Sequence, residues 1–201
     1  MEITYLGKIS DILRKGVTMG LDVFDFANSL STTQFVSKDW LVETLQKTLV
    51  THQIKSNPKI LILGGWYGSY LIPLLIEKIQ PKHIFLNDYD SKCLKFAEQL
   101  HRGKNISFHC FDATVKYPES FDVDIVINTS CEHMSFYDCM FAENPNAVFV
   151  LQSCDNKNDP GHVNTSSSTD DFLTKLKLTN VLYKGRTSLG HKNRFMVMGT
   201  L

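Results

Sequence analysis

Residues Gly64-Gly65-Trp66-Tyr67-Gly68-Ser69 follow a short apolar run, Lys59–Leu63, and lead straight into a helical pattern. Glycine at a strand-to-helix turn lets the backbone approach a ligand closely, as a nucleoside site requires. A dinucleotide fingerprint starting at Gly64 needs glycines at 66 and 69, where the chain has Trp66 and Ser69, and there is no Gly-Lys-Ser/Thr for a phosphate loop. What remains is a glycine turn beside a nucleoside that carries no phosphate. Asp88, in Asn87-Asp88-Tyr89-Asp90, lies 24 positions after Gly64, near the roughly 20-residue offset at which a carboxylate accepts from ribose hydroxyls. Asp112, in Phe111-Asp112-Ala113, is placed to accept from the exocyclic amine of adenine. Either aspartate alone serves equally well as a cap or turn former. Their recurrence at the ends of successive strands is what points to a ligand.

A second group follows the apolar run ending at Asn128, in Thr129-Ser130-Cys131-Glu132-His133-Met134. Glu132 and His133 are candidate acid–base residues, and His162, in Pro160-Gly161-His162-Val163-Asn164, is a third candidate approaching from a long polar loop. The blander reading makes Glu132 a helix cap and the histidines ordinary polar residues. Cys131, His133, Cys139, Cys154 and His162 match no closed tetrahedral ligand pattern, so no metal site is expected. Gln34 to Lys38 reads first as a solvated helix start, with a lid over the ligand pocket or a contact to a substrate as alternatives, and Arg186 and Arg194 read as surface or edge-strand charges.

The elements that must position these residues alternate. Strands are expected at Lys59–Leu63, 83–87, Ile106–Cys110, 123–128 and 147–151, with helices at 69–79, Ser91–His101 and 134–142. This is the pattern of βαβ units: a doubly wound, mostly parallel sheet with helices on both faces. Two last strands, 181–187 and 194–199, follow a helix at 169–176 and are joined by a turn around Gly190 too short for a crossover, so they form an antiparallel hairpin and bring the sheet to seven strands. The stretch 111–122 joins the third strand to the fourth; extended, it spans at most ~40 Å, enough to shift about three strand spacings with a turn or two of helix at most. Residues 1–57 read as a helical N-terminal cover of the same domain, with Ser37 capping a helix that carries Trp40, Leu41, Leu45, Leu49 and Val50, and 58–201 as the core.

With 201 residues, 43% hydrophobic and 21% charged, the chain has the composition of one globular domain. Lys plus Arg (21) balances Asp plus Glu (21), which leaves no charge excess to neutralise a phosphate backbone and gives no strong case for nucleic acid. Five cysteines without a C-x-x-C pair fit a reducing compartment, the first residues lack an apolar leader, and no run approaches the ~20 apolar residues of a membrane span, so a cytoplasmic location is expected.

The succession GGWYG, NDYD, FDA and DIVINTSCEHM, each after a strand, resembles the motifs of class I S-adenosylmethionine-dependent methyltransferases over about residues 58–200, and most of all small methyltransferase-like proteins of tailed phages. The family has a Rossmann-like sheet ending in an antiparallel hairpin. The resemblance implies S-adenosylmethionine as co-substrate, with Gly64, Gly65, Trp66 and Gly68 along its methionine part, Asp88 at the ribose, and Asp112 and Ala113 at the adenine. It also brings Leu63, Tyr67, Tyr89 and Asn128 into the cofactor-binding set. Trp66 or Tyr67 facing the sulfonium would add a cation–π attraction of ~0.5–2 kcal/mol; filling a gap beside the N-terminal helices is the equal alternative for Trp66. Family members often carry an acidic residue where this chain has Ile62, and a glycine where it has Trp66. Asn128-Thr-Ser-Cys is not the Asn/Asp-Pro-Pro-Tyr/Phe of amino-methylating DNA enzymes, and Cys131 lacks a preceding proline. The expected reaction is methyl transfer to oxygen or nitrogen of a small or medium-sized acceptor, catalysed by Glu132, His133 and His162. Another reaction of the same donor, or a silent donor-binding protein with a protein partner, are the alternatives.

Overall fold

A computed structural model describes residues 3–159, 161–190 and 192–201; Pro160 of the histidine loop lies outside them. The core is a seven-stranded sheet made of β1 (Lys59–Leu63), β2 (His83–Asp88), β3 (Ile106–Cys110), β4 (Ile125–Asn128), β5 (Val148–Cys154), β6 (Asn180–Leu189) and β7 (Lys192–Thr200), in the order β3-β2-β1-β4-β5-β7-β6. β1 to β5 are parallel, while β7 runs antiparallel to both β5 and β6. This is the Rossmann-like architecture with a C-terminal hairpin that the alternating pattern implies.

The helices are α1 (Ile3–Gly16), α2 (Val23–Asn28), α3 (Thr32–Thr51), α4 (Leu71–Lys78), α5 (Ser91–His101), α6 (Asp138–Glu143) and α7 (Thr169–Thr174), with a 3-10 turn at Cys131–His133. Buried on both faces, the central strands read as continuous apolar runs, and alternate residues enter different cores. Ile60 and Ile62 pack with α3 and α4, whereas Leu61 and Leu63 pack with Phe141, Phe149 and Phe172. A third cluster joins α1 and α2 to α5 through Tyr5, Ile9, Phe26, Tyr67, Phe96 and Leu100.

Several sequence expectations need correction. Ser37 is not a cap: α3 starts earlier, behind Ser31 in extended conformation, and Ser37 is buried inside it. The Ser37 hydroxyl donates to Gln152 Oε1 at 2.9 Å, and Gln152 Nε2 donates back to the Ser37 carbonyl at 3.2 Å, so the serine belongs to a tertiary contact. Leu41, Val42 and Leu45 are buried, but Val50, expected beside them, is 76% exposed. No helix begins at Met134; residues 131–133 form the 3-10 turn and α6 starts at Asp138. β5 extends to Cys154, three residues beyond its expected end. The link after β3 contains no helix, because Tyr117 and Phe121 fold under it against Phe85 and Phe111 and fill the place a helix would cover.

α5 also fixes the glycine turn from beneath. His101 Nε2–H donates to the Tyr67 carbonyl at 3.0 Å, and burial pushes the imidazole from its ordinary 6.5 down to about 4. The folded protein keeps this histidine neutral, while the unfolded chain takes up a proton near its ordinary value. The stability it confers is therefore present above about pH 6.5 and is lost as pH falls toward 4. Urea unfolding should show this residue contributing a slope of up to about 1.4 kcal/mol per pH unit inside that window. His101→Gln should remove that part of the slope, and a variant with the wild-type slope would contradict the assignment.

Candidate active site

The strand order reverses between β1 and β4, and in such sheets the crevice outside the carboxyl ends of the two diverging strands is where ligands bind. A cleft of about 1550 Å³ opens there, running from Asp112 and Ala113 at one end to Lys38 and Arg194 at the other. Of the twelve other positions expected in the site, the cleft takes in Glu132, His133 and His162, the run 64–68, Asp88 and Tyr89, with Asp112 and Ala113 already named. Two expected positions are elsewhere. Leu63 is buried in the core beneath the sheet, and Asn128 is buried with Nδ2 directed at Met134 Sδ, 3.0 Å away, and Oδ1 accepting from Ser130 N at 2.9 Å. Asn128 shapes the turn after β4 and does not face a ligand.

The glycine-turn end of the cleft is built on backbone bonds between strand ends. Gly65 N donates to the Asn87 carbonyl at 2.9 Å, and Gly68 N to the Gly65 carbonyl at 2.9 Å. Asn87 Nδ2 donates to the carbonyls of His109 and Phe111, tying β2 to the end of β3. Asp88 is only 6% exposed, and its two oxygens accept from Trp66 N at 2.7 Å and Asp90 N at 3.0 Å. Burial raises its pKa, with the backbone donors acting against the rise. Each carboxylate oxygen retains acceptor capacity toward the cleft. Asp90, by contrast, caps α5 through Lys92 N, and the exposed Asp112 makes an Asx turn with Thr114 through Oδ1 alone.

Gly64 and Gly68 have φ of +58° and +59°, and Trp66 between them has +54°. For a tryptophan this conformation costs on the order of 1 kcal/mol and has to be held from outside. The hold is Asp25 of α2, whose Oδ2 accepts from Trp66 Nε1 at 2.8 Å and from Tyr67 OH at 3.1 Å. Tyr67 is buried edge-on against Phe26, and Tyr5 OH donates to the Ser69 carbonyl. Both aromatic rings are thus anchored in the N-terminal helices, the second of the two readings of Trp66. Tyr89, 81% exposed, borders the cleft from the opposite side.

At the other end the long loop folds back over the 3-10 turn. Val163 N and Asn164 N both donate to the Glu132 carbonyl at 2.9 Å, and Asn164 Nδ2 reaches Tyr137 OH at 2.9 Å. This brings His162 to His133, ring centroids 4.6 Å apart and nearly perpendicular. His133 Nδ1–H donates to the Gly161 carbonyl at 2.9 Å and His162 Nδ1–H to the Asn156 carbonyl at 2.6 Å. In both rings that leaves Nε2 as the basic nitrogen. His133 is exposed, whereas His162 has Asp159 3.7 Å from its Nε2.

Glu132 is not a cap and is not free. It is 3% exposed, and its Oε1 accepts from Arg194 Nη1, while Arg194 Nη2 donates to the Thr129 carbonyl. Arg194 corrects the surface reading: β7 is an interior strand, Arg194 pairs in register with Cys154 of β5, and its side chain is 12% exposed. Burial alone would lower the guanidinium's pKa, but the Glu132 charge carries it above its ordinary value. Glu132, Cys154 and His162 have ligand-type atoms within 4.8 Å of one another, with Arg194 taking Glu132 Oε1 and leaving Oε2 buried without a partner. Lys38 completes the group. Two signals in the sequence mark these residues: Arg194 alternates with the buried Met196 and Met198, and Lys38 shares a helix stripe with Leu41, Val42 and Leu45. A charge on an apolar stripe has to be paid for by a partner.

Removing one side of a buried ion pair strands the other. Arg194→Met should therefore destabilise the protein by roughly 3–5 kcal/mol in urea unfolding, and Glu132→Gln combined with it should recover a large part of the loss. Equal stability of the single and double variants would contradict a coupled pair.

Sequence comparison finds no matching family model and no matching curated relative. Solved structures do match. The chain is similar to a SAM-dependent methyltransferase from Aquifex aeolicus, with 17% identity, 77% of this chain and 89% of that one covered, and a TM-score of 0.55. It is also similar to the YcgJ protein from Bacillus subtilis, with 13% identity, 80% and 97% covered, and a TM-score of 0.58. Magnesium protoporphyrin IX methyltransferase from Synechocystis, solved with bound SAH, gives 16% identity, 79% and 82% covered, and a TM-score of 0.55. With its strand order, its C-terminal hairpin and these likenesses, the chain has the class I S-adenosylmethionine-dependent methyltransferase fold.

Proposed function

We propose that this protein transfers a methyl group from S-adenosylmethionine to an oxygen or nitrogen atom of a small or medium-sized acceptor. Fold does not fix activity, so the reading rests on the site. The observation that carries it is Asp88: a buried carboxylate at the end of the second strand, oriented by the glycine turn's own Trp66 N–H and with acceptor capacity directed into the cleft. That arrangement suits a pair of ribose hydroxyls. The turn has no run of phosphate-facing glycines, which suits a nucleoside whose tail is not a phosphate. Two of the solved neighbours, the Synechocystis enzyme and a coclaurine N-methyltransferase, are named for small-molecule acceptors and were solved with bound SAH, which supports the donor and the acceptor class.

Gly64, Gly65 and Gly68 give the methionine part close access to backbone, Asp88 holds the ribose, and Ala113 and Tyr89 border the adenine with Asp112 beside them. When bound, the donor supplies an electrophilic methyl on a cationic sulfur. The protein's share is mostly alignment, because holding donor and acceptor in line is worth ~7–11 kcal/mol of barrier, against ~10²–10⁴-fold for a base. His133 is the base this geometry favours, since its Nδ1 is fixed by the Gly161 carbonyl and its Nε2 is available. Glu132 acts by holding Arg194, and His162 by packing against His133.

A thermal-shift comparison of S-adenosylmethionine, S-adenosylhomocysteine and NAD tests the reading. The first two should stabilise the protein by ~2.7 kcal/mol at a hundredfold excess over Kd, and NAD should not. Asp88→Ala should weaken S-adenosylhomocysteine binding by ~1.5–3 kcal/mol, roughly 10- to 100-fold, by calorimetry. His133→Ala should leave that affinity unchanged and lower turnover of the acceptor. Equal affinities for the Asp88→Ala and wild-type proteins would remove the ribose assignment.

A further inference from the structure

The cleft is electrically divided. Asp22, Asp25, Asp88, Asp90 and Asp112 line the donor end, accompanied by Lys92, which suits a ligand of positive charge. At the opposite end stand Lys38, Lys192 and Arg194, with Glu132 and Asp159 as the carboxylates. On the rim, Lys192 and Asp159 offset one another. Among the more enclosed groups, Glu132 pairs with Arg194, whose charge still outweighs the carboxylate's at Lys38, and Lys38 is left as the one cation without a carboxylate of its own.

Lys38 is unusual in its own right. It lies in α3, is 8% exposed, and has neither a hydrogen bond nor an ion pair among the described residues. Burial and the Arg194 charge push its ammonium from 10.5 down to about 7, with Glu132 pulling the other way. A nearly buried ammonium to which the protein offers no acceptor is costly, and one that opens onto a cleft is placed to take an acceptor from there. Nothing in the packing of α3 requires a charge at this position, since Leu41, Val42 and Leu45 on the same stripe are apolar and fully buried.

We infer that Lys38 receives the carboxylate of the methyl acceptor, with Arg194 behind it adding to the local positive potential, so that the acceptor is a small monocarboxylate. The inference rests on the methyl-transfer reading for its placement on the acceptor side. The single uncompensated charge matches a monoanion; a phosphate dianion would leave the site net negative. Arg194 contributes through its field, because its Nη1 and Nη2 are engaged by Glu132 and Thr129. Charge-assisted contact in an enclosed site is among the stronger polar interactions, and a neutral analogue of the same shape cannot make it.

The test titrates the protein, saturated with S-adenosylhomocysteine, with benzoate and with benzamide, which share a shape and differ in charge. Benzoate should bind at least tenfold more tightly. Lys38→Met should abolish the difference and Lys38→Arg should restore part of it, while S-adenosylhomocysteine affinity stays within twofold of wild type in both. Benzoate binding no better than benzamide to the wild-type protein overturns the inference without recourse to any variant, so a Lys38→Met protein that fails to fold does not shelter it. A tenfold loss of S-adenosylhomocysteine affinity in a folded Lys38→Met protein also overturns it, because Lys38 would then serve the donor's own carboxylate. If S-adenosylhomocysteine does not bind the wild-type protein, the donor reading fails by itself. The benzoate and benzamide titrations of the unliganded protein then decide the anion site separately.

Discussion

The site depends on one constraint: the ends of β1, β2 and β3 are locked to each other by hydrogen bonds at the level where the chain leaves the sheet. Gly65 is held by the Asn87 carbonyl, Trp66 by Asp88, and the exit of β3 by the Asn87 amide. Three strands with different connections thereby present their first loop residues at a common depth. Parallel pairing alone sets the strands side by side but leaves the loops beyond them unconstrained. Here Asn87, buried and pointing along the sheet, carries that alignment into the loops. Asp88 is fixed as a result, and a carboxylate that is already oriented pays little entropy when it meets a ligand.

The second organising feature is electrostatic. Carboxylates gather at the donor end and cations at the acceptor end, although the chain as a whole carries equal numbers of each. The buried Glu132–Arg194 pair joins the turn after β4 to an interior strand of the hairpin, so the C-terminal strands are structurally part of the cleft wall. Such a pair is a weak source of stability, because desolvation offsets much of the attraction. Its value lies in placing a positive field where an open surface would have screened it.

The alternation of strands and helices, the parallel core and the terminal hairpin were legible because each follows from local periodicity and from connections too short to do anything else. That Gly64, Asp88 and Asp112 line the cleft was legible for a related reason: they sit at fixed places relative to strands. Ser37, Val50 and the start of α6 were misplaced because tertiary contacts, above all Ser37 with Gln152, override a local capping preference. Arg194 was misread because pairing order is not written in a hairpin's sequence; only the insertion of β7 between β5 and β6 turns an edge charge into an interior one. Asp25 acts on residues far along the chain, and nothing near it in sequence announces it; the apolar stripe around Lys38 marks a buried charge but not what that charge faces. Asn128 and Leu63 border the right turns but point into the protein, a distinction that one residue of register decides.

The N-terminal helices do more than shield the sheet. Tyr5 and Ser29 both bond to Ser69, and Asp25 fastens Trp66 and Tyr67, so the first two helices and the glycine turn share one set of bonds. Gly20, Leu21 and Asp22 also wall that end of the cleft. Widening the doorway there means unfastening these links first. For any ligand seated at this end of the cleft, entry and release are then metered by how often the first two helices let go, and residence time becomes a property of a segment outside the sheet.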